Sequence, residues 1–470
     1  MLFSSNLFLF LFLPAVLGCY YLLDRKLRNP FLLLVSLVFY AWGTGKFVLM
    51  MVASALFNDV AALIIVRLKK PLYRKLFLTF TIVGNLSVLF VYKYLDFFIT
   101  NINLLGFQLP LQHIALPLGI SFFTFQAMSY SLDVYMGRAQ VQKNPLNVVL
   151  YVSFFPQLVA GPIVRYQTIA DQIQTRQETF EDFSEGVRRF IIGFAKKIIL
   201  SNNMALVADA VFADPNRSVI YAWMGAIAYT FQIFFDFSGY SDMAIGLGNM
   251  FGFHFLENFD YPYISASVSE FWRRWHMSLG QWFRDYVYFP LGGSRVNTRK
   301  RLVFNLFVVW CLTGIWHGAR WNFVFWGLMY FALLTFEKLT GIPGKFRSPW
   351  AKGGYRVFTL LSVIVGWVFF RAETMDAGVR FVADMAGLNG KPLVCAYAFR
   401  DYLQYRWFFL GCLLCSTPIF KTAKARITRH SRAMGTAMEW LSVPVYLFLL
   451  FWSVSYIMIG SHNPFIYFNF

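Results

Sequence analysis

Charge is scarce in this sequence, and negative charge is scarcer still. Of 470 residues 14% are charged and 58% are hydrophobic, and 23 acidic side chains stand against 42 basic ones. Soluble domains carry about 25% charged residues, so a water-facing surface over most of this chain is excluded. Several chemical signatures are missing too. There is no HExxH zinc motif, no GxSxG nucleophile turn and no glycine-rich phosphate loop between a strand and a helix. Their absence excludes the common metalloprotease, serine-hydrolase and nucleotide-binding plans. The five cysteines are Cys19, Cys311, Cys395, Cys412 and Cys415. Cys412 and Cys415 stand three apart without a second pair or a histidine partner, so neither disulfides nor a zinc site is expected. The chain has no internal repeat and no low-complexity linker.

What the chain has instead is long apolar blocks. Asn6–Leu23, Phe31–Trp42, Phe47–Val66 and Leu76–Val91 are nearly free of charge. A bilayer is crossed by about 20 such residues, and on that measure the chain offers roughly ten to twelve spans. The expected class is an all-α polytopic integral membrane protein. The N-terminus has no basic stretch before its first apolar block, so it does not read as a cleavable signal peptide. Arg25, Lys26 and Arg28 follow the first block, Arg67 to Lys75 come two spans later, and Arg138 and Lys143 follow Phe122–Val134. Excess Lys and Arg mark cytoplasmic loops, so the N-terminus is expected outside. The formal net charge of +19 does not point to nucleic acid. The basic residues sit in short loops, where they set topology and meet lipid head groups.

Three regions can be told apart within one transmembrane domain. Residues 1–135 and 331–470 are simple spans, and residues 136–330 are rich in Gly, Pro, aromatics and isolated polar groups. In this middle region Phe154-Phe155-Pro156-Gln157-Leu158-Val159-Ala160-Gly161-Pro162 breaks an apolar run. Proline removes a backbone donor, and a broken helix at membrane depth survives only inside protein or along a cavity. The segment therefore reads as a re-entrant or half-helix segment, with a kinked ordinary span as the alternative. Asp236 and Asp242 flank Phe237-Ser238-Gly239-Tyr240-Ser241. Carboxylates beside apolar spans need a partner or a wet site, and Ser238 or Ser241 is a candidate helix N-cap. From Glu270 to Tyr286 the pattern has helical period: Trp272, Trp275, His276, Leu279, Trp282, Phe283 and Tyr286 share one face, and Arg273, Arg274, Gln281, Arg284 and Asp285 the other. One interfacial helix is expected there, with His276 on its aromatic side.

His317 lies between two apolar blocks in Thr313-Gly314-Ile315-Trp316-His317-Gly318-Ala319-Arg320. Glycines on either side let a partner helix or a substrate come close. Of six histidines, only His276 and His317 are surrounded by tryptophans at such positions. Ionisable groups inside a membrane are functional by default, and a neutral imidazole is the usual general base near neutral pH. Deprotonating a hydroxyl so that it attacks a thioester fits such a group. A transporter or flippase with proton-relaying histidines is the other class left open at this point, although transporters usually show internal repeats.

These motifs together resemble the membrane-bound O-acyltransferase family, in particular the bacterial alginate O-acetyltransferase type and relatives that acetylate other exopolysaccharides such as cellulose. The resemblance rests on Phe3 to Phe10, Phe155 to Pro162, Asp236 to Gly248, Glu270 to His276, Trp316-His317-Gly318-Ala319 and the closing Asn463 to Phe468. It covers essentially the whole chain. It implies about eleven transmembrane helices, with re-entrant and interfacial helices around a thinned centre whose funnels open to both faces. It places the catalytic histidine at His317 and a second functional position at His276. On this resemblance Trp272, Trp275 and Trp316 would wall a tunnel, Arg273 and Arg274 would attract a donor's phosphates, and Asp236 would belong to the substrate-binding set. The donor implied is acetyl-CoA from the cytoplasm, with no bound cofactor and no metal. The acceptor implied is a polysaccharide or a periplasmic acetyl-carrying partner, at the bacterial inner membrane. Arg320, where the alginate type carries Asn, is a departure that bears on the acceptor rather than on the class.

Overall fold

The computed structural model describes residues 1–158 and 161–466. Val159, Ala160, Tyr467 and Phe468, which belong to two of the motif stretches, lie outside the described residues. Among the described residues the regular elements are all helical. Seven helices among the described residues are long and apolar enough to cross a membrane: Phe47–Arg67, Pro71–Asn103, Phe180–Ala213, Val219–Met250, Trp321–Thr340, Pro349–Arg371 and Ala433–Met458. Helices Arg25–Thr44, Arg299–His317 and Ala396–Cys415 have comparable length, but their polar residues keep them out of that set. This is a multi-pass membrane architecture.

The chain forms two compact units. One comprises Met1–Phe190 with Met243–Leu256, and the other Ile191–Asp242 with Glu257–Phe470. In the first, buried polar side chains answer one another across helices. Asn58 and Asn85 exchange carboxamide hydrogen bonds at 2.9 and 3.1 Å, and Ser131 Oγ donates to Asn58 Oδ1 at 2.9 Å. Such bonds hold helices together where burial alone gives little drive. Helix Pro145–Ser153 has nine residues, and its last six, Val148–Ser153, are buried. It is too short to cross, and Phe154–Leu158 after it is not helical, as the proline-broken pattern implied.

The second unit holds both tryptophan-flanked histidines. Helices Arg299–His317 and Trp321–Thr340 form an antiparallel pair whose backbones meet at two glycines. A Cβ on Gly314 would stand 2.5 Å from Phe323 O, and one on Gly327 would stand 2.5 Å from Trp310 O. The glycines thus serve helix approach. Helix Pro349–Arg371 joins them, with Asn322 Nδ2 donating to the carbonyls of Phe369 (3.0 Å) and Ala372 (2.7 Å).

Two expectations are corrected here. Asp236-Phe237-Ser238-Gly239-Tyr240-Ser241-Asp242 is not a helix start; it lies within helix Val219–Met250. Neither serine is an N-cap, and both aspartates are paired instead, Asp236 with Lys197 at 2.7 Å and Asp242 with Lys196 at 2.6 Å. Nor is 270–286 one helix. It is Val268–Arg274 and Met277–Phe283, the latter running on into the π-helical turn Arg284–Tyr288, with Trp275 and His276 between the two helices out of helical geometry. The loop 258–260 runs beside the break and takes over its backbone bonds: Asp260 N donates to Arg274 O at 3.0 Å and Met277 N to Asn258 O at 2.9 Å.

Gly314→Val would force the two helices apart. Overpacking costs about 1–3 kcal/mol, so the variant is expected to melt measurably lower in detergent by scanning fluorimetry. An unchanged melting temperature would mean that the contact is not a close one.

Candidate active site

His317 is the last residue of helix Arg299–His317, and Gly318 after it is extended. The turn has no room for a side chain, since a Cβ on Gly318 would meet the Phe323 ring at 2.3 Å. The imidazole is 5% exposed. Its ring centroid lies 5.0 Å from Trp316, 5.0 Å from Trp326 and 5.1 Å from Phe370.

His276 reaches the same neighbourhood from another direction. Helix Val268–Arg274 is only seven residues long, yet its start is doubly secured. Ser267 Oγ accepts from Glu270 N at 3.0 Å, and the buried Glu337 carboxylate accepts from Val268 N at 2.7 Å and Ser269 N at 2.8 Å. Both satisfy amides that a helix start leaves open. The chain then turns at His276, which has the left-handed backbone φ 44°, ψ 52°. That conformation costs a non-glycine residue about 1–2 kcal/mol.

What holds His276 is Asn258. Its Oδ1 accepts from Ser278 N at 3.2 Å and from Ser278 Oγ at 2.9 Å, and its Nδ2 donates to Ser241 Oγ at 3.0 Å. The same Oδ1 lies 3.1 Å from His276 Nδ1. An oxygen already accepting from an N–H requires the Nδ1 proton as donor. The lone pair therefore sits on Nε2, which is buried and has no hydrogen-bond partner among the described residues. A second group that fixes the tautomer is how a histidine base is prepared. Burial pushes the His276 imidazole down to about 3, so it is neutral at working pH. Phe237 lies edge-on to the ring at 4.6 Å.

Trp316 packs against both imidazoles, 6.1 Å from His276 and 5.0 Å from His317 by ring centroids. The structure thus brings His276, Trp316 and His317 into one aromatic cluster. Trp275 is in it through Trp367 at 4.7 Å. Trp272 is in it through Trp310 at 4.8 Å, Tyr330 at 4.8 Å and Trp326 at 5.4 Å. The arginines diverge. Arg274 is bound to Glu270 at 2.9 Å and Asp260 at 2.8 Å, whereas Arg273 is exposed. Asp236 is engaged by Lys197 at 2.7 Å and the amide of Ile466 at 2.9 Å rather than by a histidine.

A cavity of about 1170 Å³ opens beside the cluster, walled by Phe323, Phe370, Tyr229 and Gln232 with Arg320 and Arg371 among its polar residues. Phe370 is also the ring packed on His317. The exposed cations Arg299, Lys300, Arg301, Lys338, Lys345 and Arg347 lie at the opposite helix ends.

Sequence reasoning missed Asn258, Ser278, Glu337, Trp326, Trp367 and Phe370. Asn258, within the polar run Glu257-Asn258-Phe259-Asp260, left no periodic signal. The Ser267-Val268-Ser269-Glu270 pattern is a helix-start signature that could have placed the first break.

Comparison with known proteins gives the family. The membrane-bound O-acyltransferase family (MBOAT) matches residues 138–372, which include both histidines. The chain is 39% identical to the probable alginate O-acetylase AlgI of Pseudomonas putida, over 100% of both chains. It is 44% identical to the probable alginate O-acetylase AlgI of Azotobacter vinelandii, covering 82% of this chain and 78% of that one. It is 34% identical to the peptidoglycan O-acetyltransferase of Helicobacter pylori, over 100% of this chain and 98% of the relative. The chain belongs to the membrane-bound O-acyltransferase family, and it is a multi-pass membrane O-acyltransferase.

Two outcomes follow for the His276 arrangement. Asn258→Leu removes the tautomer-fixing acceptor, and transfer should fall at least about tenfold at equal folded protein; an unchanged rate would separate Asn258 from the chemistry. The second outcome concerns pH. The folded value of His276 lies below its unfolded value of about 6.5, so the group favours folding above that pH and loses the preference as pH falls. Acidification from about pH 7 to about pH 4 should lower the melting temperature of the wild type more than that of His276→Gln. Equal falls would show that the folded imidazole takes up a proton freely.

Proposed function

We propose that this enzyme O-acetylates an exopolysaccharide such as alginate or cellulose. In this reading it takes the acetyl group from acetyl-CoA in the cytoplasm and delivers it on the far side of the bacterial inner membrane, to the polymer directly or to a periplasmic partner that carries it on. The observation that carries the reading is His317, buried in a chain of this family and packed on Phe370, a ring that also lines a large cavity. The relatives named for alginate and for peptidoglycan O-acetylation favour a glycan hydroxyl as the acceptor.

The chemistry needs no cofactor. His317 takes the proton of the acceptor hydroxyl as its oxygen attacks the acyl carbon, the carbon–sulfur bond breaks, and the imidazolium returns the proton to the leaving thiolate. His276, neutral and with its Nε2 lone pair free, orients the hydroxyl or shares the proton. The tryptophans around both rings keep water away, so the thioester is transferred rather than hydrolysed. Arg273, exposed beyond the capped helix start, is available to the donor's phosphates, whereas Arg274 is committed to Glu270 and Asp260. About eleven spans around a thinned centre, with funnels to both faces, would let donor and acceptor reach His317 from opposite sides.

His317→Ala, compared with the wild type at matched membrane protein level, should reduce polymer acetylation by at least about a hundredfold, the scale of a lost general base. Normal acetylation would remove His317 from the mechanism.

A further inference from the structure

Residues 462–466 are threaded into the unit that holds the histidines. His462 Nε2 lies 2.9 Å from Asp209 Oδ2, and Asn202 Nδ2 donates to Asn463 Oδ1 at 3.2 Å. Lys197 Nζ donates to the carbonyl of Pro464, Ile466 N donates to Asp236 Oδ2 at 2.9 Å, and the Phe465 ring lies 4.8 Å from Tyr240. Lys197 and Asp236 are themselves a 2.7 Å ion pair, with side chains 2% and 1% exposed. Burying such a pair brings little stability by itself. Here each charge also meets a backbone group of the segment, the ammonium a carbonyl and the carboxylate an amide.

The strap ends where the cavity begins. Pro464 and Ile466 line the cavity together with Gln232, whose Oε1 is buried and has no partner among the described residues. Tyr229, Gln232, Asp236 and Tyr240 recur at spacings of three and four on helix Val219–Met250, which puts them on one face. Cavity wall and strap anchor therefore share a helix surface.

We infer that residues 462–466 complete the acceptor cavity and that Lys197 and Asp236 are positioning residues that hold them there. The inference rests on the acetyl-transfer reading above. With the strap seated, the acceptor's hydroxyl-bearing ring is held against Gln232, and water is kept from the acyl group. With the strap released, the acceptor binds poorly and water takes its place. Its oxygen then attacks the acyl carbon, the carbon–sulfur bond breaks, and acetate and free thiol leave.

The test uses the full chain in detergent, with acetyl-CoA and alginate oligosaccharides as probes. Lys197→Met with Asp236→Leu removes both charges together, so neither is left buried alone. It should raise the acceptor KM about tenfold or more, leave the donor KM within about twofold, and increase thiol release without acceptor about threefold or more. Ile466→Trp alters the wall and keeps the backbone amide that Asp236 holds. It should raise the acceptor KM without raising thiol release, and it decides the matter by itself if the double variant does not fold. An unchanged acceptor KM in Ile466→Trp, or donor and acceptor KM moving together in the folded double variant, would overturn the inference. If the wild type transfers nothing to the oligosaccharide, direct transfer to the polymer fails. Thiol release, which needs no acceptor, then still decides the strap: no increase in the double variant overturns it.

Discussion

Two glycines, Gly314 and Gly327, let two helix backbones come closer than any side chain would permit, and most of the site depends on that approach. It brings Trp326 onto one side of His317 and allows Asn322 to reach the end of helix Pro349–Arg371. Phe370, at that end, closes the other side. In a membrane, where hydrophobic burial gives little drive for helix association, small residues at a crossing let dispersion and interhelical hydrogen bonds do the work. The same crossing ends in a turn so tight that Gly318 is pressed on the Phe323 ring. The catalytic candidate is therefore held by packing on every side rather than by a flexible loop.

The second histidine is held by polar groups. A seven-residue helix is far below the length at which a helix is stable alone, and a left-handed backbone at His276 adds cost. Glu337 supplies acceptors for the open amides at the helix start, and Asn258 binds both sides of the break. All of these groups are buried. Each would be costly without its partner, so the break, the cap and the tautomer depend on one another. The neutrality of His276 follows from the same burial.

Much of this was legible in the residues. Long uncharged blocks announced a membrane protein, and His276 and His317 stood out because a titratable ring among tryptophans is in the wrong solvent unless it has a task. Prolines in 154–162 signalled the early end of helix Pro145–Ser153. The 270–286 segment misled because its apolar residues fit a continuous helix, while the break is made by a loop that crosses it. Asn258 and Glu337 act on residues 18 and 69 positions away, beyond any local pattern. The two aspartates near 240 were read as needing partners, which they have, but a lysine 39 positions upstream of Asp236 and the C-terminal strap could be found only in three dimensions.

The central claim is that an acyl group passes from a donor on the cytoplasmic side to an acceptor on the other side, through the His276–Trp316–His317 cluster. Proteoliposomes of known orientation test it directly, with acetyl-labelled acetyl-CoA supplied only at the cytoplasmic face and alginate oligosaccharide confined to the opposite face. The account predicts label on the confined oligosaccharide without leakage of the donor. Label that appears only when donor and acceptor share one face would contradict it.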